Sequence, residues 1–499
     1  MRAIVLAAGV GSRLKPLTLE KPKALVEVNG RPILYYILRS LESNNIKDIV
    51  ICTGFNSAKI ESYCIKNHPG LRLTFVENKD YASTNNMYSL YLAKDYLDQD
   101  IFLMNGDVVF SPQIISAMLL EKKSCIAVDV GNYIDESMKV MVDTNNHIVD
   151  ISKKIPKQDA FGCSIDVYKF LVNDLAVIKN ELHKIIEVQK DRNQWTEVML
   201  QNLFKRHELI SFPCAIGKEK WVEIDNFDDL RQAESAFNEH FAELKDRKIF
   251  FIDGDGTLLL GKKPIRGSKE FLEKLVQSGK SFYVMTNNSS KTAAEHAKRF
   301  QDIGLPITQD QVLVSSDSLI SFLKGTGVKG IFLIANSSVE DHFKAQGFDV
   351  TAKGPEALVL CWSTELTYDQ LKLFCILVAK GLPYYATHID IVCPTDEGLV
   401  PDIGAFIKLI ELTTKRLPDK TFGKPDKSFI EPVLKSHNLS FSDAVVIGDR
   451  LYTDIKLAEN SKMLSVLVET GETSRIDYES SEIRADMIVR EIGELVSHL

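Results

Sequence analysis

The segment Lys248-Ile-Phe-Phe-Ile-Asp-Gly-Asp-Gly-Thr-Leu-Leu-Leu260 constrains this chain more than any other. Ile249 to Ile252 are apolar or aromatic and read as a buried strand. The strand runs into Asp253 and Asp255, one residue apart, in a glycine-bearing turn. Two carboxylates at i and i+2 can converge on one ligand, where one attacks or binds a metal and the other handles protons. Gly256 permits close approach of the backbone, and Thr257 offers a hydroxyl and an amide to a phosphate. A strand of this kind opens a domain, so the residues before it must be explained by themselves.

At 499 residues the chain is too long for one hydrophobic core. Its 45% apolar and 26% charged content is that of a soluble globular protein. A net charge of −8 argues against a sequence-independent nucleic-acid binder, and local lysines and arginines can still hold anionic small molecules. The eight cysteines form no C-x-x-C pair and mostly sit among apolar residues. Reduced, buried thiols in a cytoplasmic protein are therefore expected, with no disulfide framework. No run of about 18 apolar residues is present, so no membrane span is expected. A short-period repeat is also absent.

In the first half, residues 2–8 read as a buried parallel strand that enters Gly9-Val-Gly-Ser-Arg13. Glycines directly after a strand let backbone N–H groups wrap a phosphate chain. Arg13 and Lys23 would neutralise that chain, the arginine by clamping two oxygens and the lysine as a mobile point charge. The string A-A-G-x-G-S-R-L-x-P-L-T followed by P-K-A-L resembles the sugar-phosphate-type nucleotidyltransferases, which join an NTP to a phosphorylated acceptor and release pyrophosphate. The resemblance implies that Gly9, Gly11, Ser12 and Arg13 hold the triphosphate and that Lys23 meets the reacting phosphates. It also implies that Leu6 and Ala8 line the nucleoside pocket.

Helix and strand patterns then alternate: a helix from Pro32 to about Asn44, a strand from Asp48 to Thr53, another from Leu71 to Glu77, and a helix from Met87 to Asp95. This spacing argues for a doubly wound α/β sheet with ligands at the carboxyl ends of its strands. Ile101 to Met104 is a strand leading to Asp107, and Trp221 to Asp225 a strand ending in a carboxylate. The resemblance implies Asp107 and Asp225 as Mg²⁺ ligands, in keeping with a metal that takes one or two carboxylates beside phosphate oxygens. Asn85-Asn-Met-Tyr-Ser-Leu90, Trp195-Thr-Glu-Val198 and Glu223-Ile-Asp225 look most similar to choline-phosphate and related cytidylyltransferases. That implies CTP and a small phosphorylated acceptor, with Asn85 reading the base or the ribose. An enclosed quaternary ammonium would need aromatics and carboxylates, for which Tyr81, Tyr88, Trp195, Trp221, Glu197 and Glu223 are candidates. Polyol phosphates and aminoethyl phosphonate or phosphate stay open as acceptors. A uridylyl- or thymidylyltransferase acting on a sugar 1-phosphate is the alternative.

A helix from Phe227 to about Asp246 is expected to close the first domain and act as connector. After the central segment, Ser281 to Thr286 is a second buried strand, followed by Asn287-Asn-Ser-Ser290. Later come Phe422-Gly-Lys-Pro425 and Ala444-Val-Val-Ile-Gly-Asp-Arg450 with Thr453-Asp454. These four pieces in this order resemble the phosphatases of the haloacid dehalogenase superfamily. The resemblance implies Asp253 as nucleophile, forming an aspartyl-phosphate, and Asp255 as general acid and then base. Thr286, Asn287 and Lys424 would hold the phosphate. Mg²⁺ would lie between Asp253, the Asp255 backbone carbonyl and Asp449, with Asp454 in support. Only the interval between Thr286 and Lys424 has room for an extra module, so a cap is expected at about residues 325–415, as in the NagD and nitrophenylphosphatase branch. Pro394 to Gly404 resembles that branch's cap–core loop, and His388-Ile-Asp390 stands where the branch often carries Asn-Pro-Asp.

The expected fold is thus two Rossmann-like, doubly wound parallel-sheet α/β domains, the second carrying an inserted α/β cap. Residues 1–235 would form the nucleotidyltransferase, 236–247 a helical connector and 248–499 the phosphatase. The expected substrates are CTP with a small phosphorylated acceptor, and a small phosphoester, with Mg²⁺ as cofactor. Such a fusion would supply a CDP-linked head group for a surface polymer. A regulatory, phosphometabolite-binding role for the second half, and a homo-oligomer, both stay open.

Overall fold

The computed structural model describes residues 1–395 and 398–499. The chain divides into two compact units, Met1–Asn238 and Glu239–Leu499.

In the first unit, the strands Arg72–Glu77, Asp48–Thr53, Arg2–Leu6 and Ile101–Asn105 lie side by side and parallel. Their interiors are apolar, as strands covered on both faces require. The helix Ile33–Ser43 packs through Ile33, Leu34, Ile37, Leu38 and Leu41, which fall on one face at helical spacing. The rest of this sheet is antiparallel except for Phe212–Ala215, which runs parallel to Cys125–Val130, so the sheet is mixed and not wholly parallel. Gly162–Phe170 runs against Ile101–Asn105 and also pairs with Cys125–Val130. The register of that second pairing shifts between Ser164 and Tyr168. Asp166, inside the shift, has a φ of 58°, a left-handed conformation that non-glycine residues seldom adopt.

The expected helix from 227 to 246 is broken. A capping box between Asn226 and Asp229 starts Phe227–Phe237, and the backbone turns extended at Asn238. The Asn238 side-chain amide donates to Asn29 at 3.1 Å, a tie that a continuing helix would not allow. A short helix, His240–Glu243, follows.

The second unit holds a six-stranded, all-parallel sheet ordered Val312–Val314, Ser281–Thr286, Ile249–Asp253, Ala444–Gly448, Leu464–Val468, Met487–Val489. Ile249 to Ile252 are fully buried at its centre. Between Thr286 and Lys424 the chain builds a separate four-stranded parallel sheet from Ile331–Ile334, Ala357–Leu360, Tyr384–Ala386 and Lys420–Thr421. Val392–Thr395 and Gly398–Pro401 form an antiparallel hairpin within the loop expected at the cap–core junction, and its Asp396 and Glu397 lie outside the described residues. All eight cysteines are free, seven of them buried and Cys393 half-buried. No helix among the described residues is long and apolar enough to cross a membrane.

Two candidate active sites

The carboxyl ends of Arg2–Leu6 and Ile101–Asn105 open into a cleft of about 270 Å³. Leu6, Ala8, Gly9, Arg13, Lys23 and Asn85 line it, and so do Asp107 and Asp225. Lys23 Nζ lies 2.6 Å from Asp107 and 2.8 Å from Asp225, and Arg13 lies 2.8 Å from Asp225. Burial opposes the charge of Lys23, yet the two carboxylates hold its pKa above the ordinary lysine value. Burial likewise opposes the charge of Asp225, and Lys23 and Arg13 bring it below the usual carboxylate range. Asp107, Glu223 and Asp225 offer oxygens within 4.8 Å of one another. Asp107 Oδ1 is buried with no hydrogen-bond partner, and these hard oxygen donors fit a divalent cation. Asp225 does not cap the helix that follows it, a role taken by Asn226.

The same cleft holds a second acidic group. The Tyr168 hydroxyl lies 2.7 Å from Glu197 Oε1 and 2.9 Å from Asp166 Oδ1, and the Asn105 amide donates to Asp166 Oδ2 at 2.9 Å. Burial first, then the charge of Glu197, pushes the Asp166 carboxyl up to about 8. Burial, then Asp166 and Asp107, pushes Glu223 up to about 9. Glu197 is also raised, chiefly by burial. Trp195 stands at this end of the cleft, with the Lys153 ammonium 5.3 Å from its ring centre.

In the second unit, Asp253, Asp449 and Asp454 converge to within 4.8 Å at the strand ends. Lys424 is nearly fully buried, ion-paired to Asp253 and lying 2.6 Å from Asp454. Burial drives Asp253 well above the usual carboxylate range despite the opposing Lys424 charge, and burial with Asp454 raises Asp449 to about 7. Asp253 Oδ2 and Asp449 Oδ1 are buried without hydrogen-bond partners, so this group too is suited to a cation. Gly256, at a φ of 93°, lies so close that a Cβ there would come within 2.5 Å of Asp449. At Gly471 the gap would be 1.9 Å, so both loops wrap Asp449 only because they lack side chains. Thr286 is buried at its strand end, where its hydroxyl accepts from the Asn288 N–H at 3.1 Å.

Residues 3–134 match the MobA-like NTP transferase domain family. Residues 250–349 match the haloacid dehalogenase-like hydrolases, and 421–495 match a second hydrolase family of the same kind. The chain joins an NTP transferase domain to a haloacid dehalogenase-like phosphatase domain. A 5'-nucleotidase of Bacillus subtilis is 26% identical over 233 residues, which is 46% of this chain and 91% of the relative. An acid sugar phosphatase of Staphylococcus saprophyticus is 25% identical over 261 residues, 51% of this chain and 99% of the relative. A solved 4-nitrophenylphosphatase of Thermotoga maritima is 37% identical with a TM-score of 0.49, covering 51% of this chain and 98% of its own.

In the transferase domain, Gly11 and Ser12 stand apart from the cleft lining. Gly11 packs on Lys23, where a Cβ would come within 3.0 Å of the lysine stem, and Ser12 is exposed. The Asn85 side-chain Oδ1 accepts from the Asn86 N–H at 2.9 Å, so this residue also starts a helix. Of the aromatic and acidic candidates, Tyr81, Trp195, Glu197 and Glu223 line the cleft. Tyr88 and Trp221 do not: Tyr88 is buried beneath Arg192, and the Trp221 indole donates to Asp129 at 2.9 Å.

In the phosphatase domain, the Asn287 side chain accepts from the Lys424 N–H at 2.9 Å and donates to the Lys424 carbonyl at 3.2 Å and to Asp390 at 3.3 Å. It tethers the lysine loop, which leaves its side chain no donor for a phosphate. Asp390 is bound in turn to Arg450 at 3.1 Å, and His388 lies 2.8 Å from Asp402. Sequence reasoning missed Asp166 and Asn105 in the first site and Arg299 and Arg450 in the second. A carboxylate inside the otherwise apolar run around Ile165 and Val167 was the available signal for Asp166.

Proposed function

We propose that the transferase domain moves CMP from CTP to a small phosphorylated acceptor bearing a cationic group, and releases pyrophosphate. The observation that carries this reading is the set of buried Asp166 and Glu197 with half-buried Glu223 beside Trp195, in the same cleft as the phosphate loop. A neutral sugar needs hydrogen-bond partners, not three desolvated carboxylates, whereas an ammonium group offsets their charge. The Lys153 ammonium beside the Trp195 ring is what a bound cation would resemble. Phosphocholine, phosphoethanolamine and aminoethylphosphonate carry that cation, and glycerol phosphate and other polyol phosphates do not. The choice of cytosine rests on the resemblance to choline-phosphate cytidylyltransferases. Arg13 and Lys23 would draw off phosphate charge as the acceptor oxygen attacks the α-phosphorus and pyrophosphate departs.

The phosphatase domain would hydrolyse a small phosphoester through an aspartyl-phosphate on Asp253, with Lys424 and Thr286 holding the phosphoryl oxygens. Mg²⁺ would be held by Asp107 and Asp225 in one site, and by Asp253, Asp449 and the Asp255 carbonyl in the other. It would supply charge neutralisation at the reacting phosphates. The names of the relatives, a 5'-nucleotidase and an acid sugar phosphatase, support the class of this second reaction. The two reactions would occupy residues 1–235 and 248–499, the latter capped at about 325–415, in the cytoplasm.

The test is pyrophosphate release by an Asp253→Asn variant, which cannot destroy the acceptors. CTP and UTP would each be paired with phosphocholine, phosphoethanolamine, aminoethylphosphonate, glycerol 3-phosphate and sugar 1-phosphates. Release with CTP and a cationic acceptor is expected. Release confined to UTP or dTTP with a sugar 1-phosphate would refute the reading.

A further inference from the structure

Asp255 does not face the carboxylates that surround it in sequence. It is absent from the three that converge, and its side chain is 46% exposed where that of Asp253 is 10% exposed. Both of its oxygens are taken by one arginine. Arg299 Nη2 lies 2.6 Å from Oδ1 and Nη1 3.0 Å from Oδ2, and Nη2 also donates to the Gly261 carbonyl at 3.1 Å. Arg299 rides on the helix Ala293–Asp302, which is held down by its buried Ala297 and Phe300 and started by a capping box between Thr292 and Glu295. The guanidinium fork is therefore presented from a fixed base, and a two-point clamp fixes the direction of a carboxylate as well as its place.

We propose that Arg299 is a positioning residue that latches Asp255 outside the phosphoryl site, so that Asp255 serves the reaction only after leaving the latch. The proposal rests on the phosphatase reading above. In that reaction an Asp253 oxygen bonds to phosphorus as the ester P–O bond breaks, and the departing oxygen takes the Asp255 proton. Water then bonds to phosphorus, its proton returns to Asp255, and the acyl-phosphate P–O bond breaks to give free Asp253 and inorganic phosphate. A latched Asp255 cannot reach the departing oxygen. The rate on esters that need that proton therefore rises with the fraction of molecules in which the latch is open.

Leaving groups separate this from a structural role. An alkoxide leaving from glycerol 3-phosphate needs the proton, whereas 4-nitrophenolate leaves well without it. The measurement is kcat/KM for both esters in the full chain, for wild type, Arg299→Met and Arg299→Lys. The alkyl-to-aryl ratio is expected to rise at least about threefold in Arg299→Met, with Arg299→Lys between it and wild type. In an Asp255→Asn background the Arg299→Met change should leave the ratio unmoved. A ratio that stays constant or falls in Arg299→Met overturns the latch, since Arg299 then only supports the fold or delivers Asp255 to the site. Wild-type protein that cleaves neither ester overturns the phosphatase reading itself.

Discussion

The Tyr168 hydroxyl lies 2.7 Å from Glu197 and 2.9 Å from Asp166, within hydrogen-bond reach of two buried carboxyl groups at once. A phenol has one hydrogen to give, so a second proton or a cation must serve the other contact. With Asp166 raised to about 8, the carboxyl keeps that proton at neutral pH. A cationic acceptor should displace it. The KM for such an acceptor is expected to fall as pH rises from 7 to 9, while that for glycerol phosphate stays level. Initial-rate measurements across this range check it.

The same carboxyl makes the fold pH-dependent. A folded pKa above the unfolded one means that the native state holds the extra proton between the two values. Stability contributed by Asp166 is full below about 4 and is lost as pH rises through about 8. Asp166→Asn, which keeps the shape without the charge, should flatten the decline of the transferase unfolding transition over this window. Calorimetry at a series of pH values would detect it.

Lys23 separates Asp107 from Asp225. Lys23→Ala is expected to lower pyrophosphate release by at least about 100-fold and to destabilise the transferase domain by about 3 kcal/mol, because Asp107 loses its counter-charge and Asp225 is left with Arg13 alone. Hydrolysis of 4-nitrophenyl phosphate by the same variant should be unaffected. Parallel assays on one preparation separate the two effects.

Asp253→Asn removes the nucleophile and should lower phosphoester hydrolysis by about 10⁴-fold or more, leaving pyrophosphate release at the wild-type rate. Gly471→Ala should reach a similar end by another route. Its methyl group would enter the space of Asp449 Oδ2, so loss of hydrolysis should come with a higher Mg²⁺ concentration needed for half-maximal rate.

Chelation should stop both reactions, and Mg²⁺ should restore them. Adding Mg²⁺ to chelated protein should raise the melting temperature, because Asp107 Oδ1, Asp253 Oδ2 and Asp449 Oδ1 are buried without hydrogen-bond partners. A melting temperature that ignores Mg²⁺ would contradict the assignment of these carboxylates as ligands.

Strands that carry the phosphate loops were readable because burial on both faces leaves an uninterrupted apolar run, as in Ile249 to Ile252 and in Ser281–Thr286. The expectation for Asp107 and Asp225 rests on resemblance, since a carboxylate after a strand has many uses, and the structure brings the two together around Lys23. Asp166 went unseen because its direction is created by a register shift and a left-handed φ, which no local pattern announces. Tyr88 and Trp221 were misplaced for a related reason. Closeness along the chain does not tell which side of a sheet an aromatic ring will occupy, and both turned into packing. The connector failed at Asn238 because its partner Asn29 lies over two hundred residues away.

Lys424 follows the last strand of the four-stranded sheet, Lys420–Thr421, by only three residues. Any tug on that sheet would be carried along the backbone toward the ammonium group. Asn287 grips the lysine's own N–H and carbonyl from the core sheet, and Gly423, at a φ of 72°, lies between the grip and the strand. Gly423 is itself packed against Asn287, where a Cβ would come within 2.4 Å of its side-chain oxygen, so strand, glycine and grip form one close-fitted joint. Movement of that sheet would meet this grip before it reached the ammonium group.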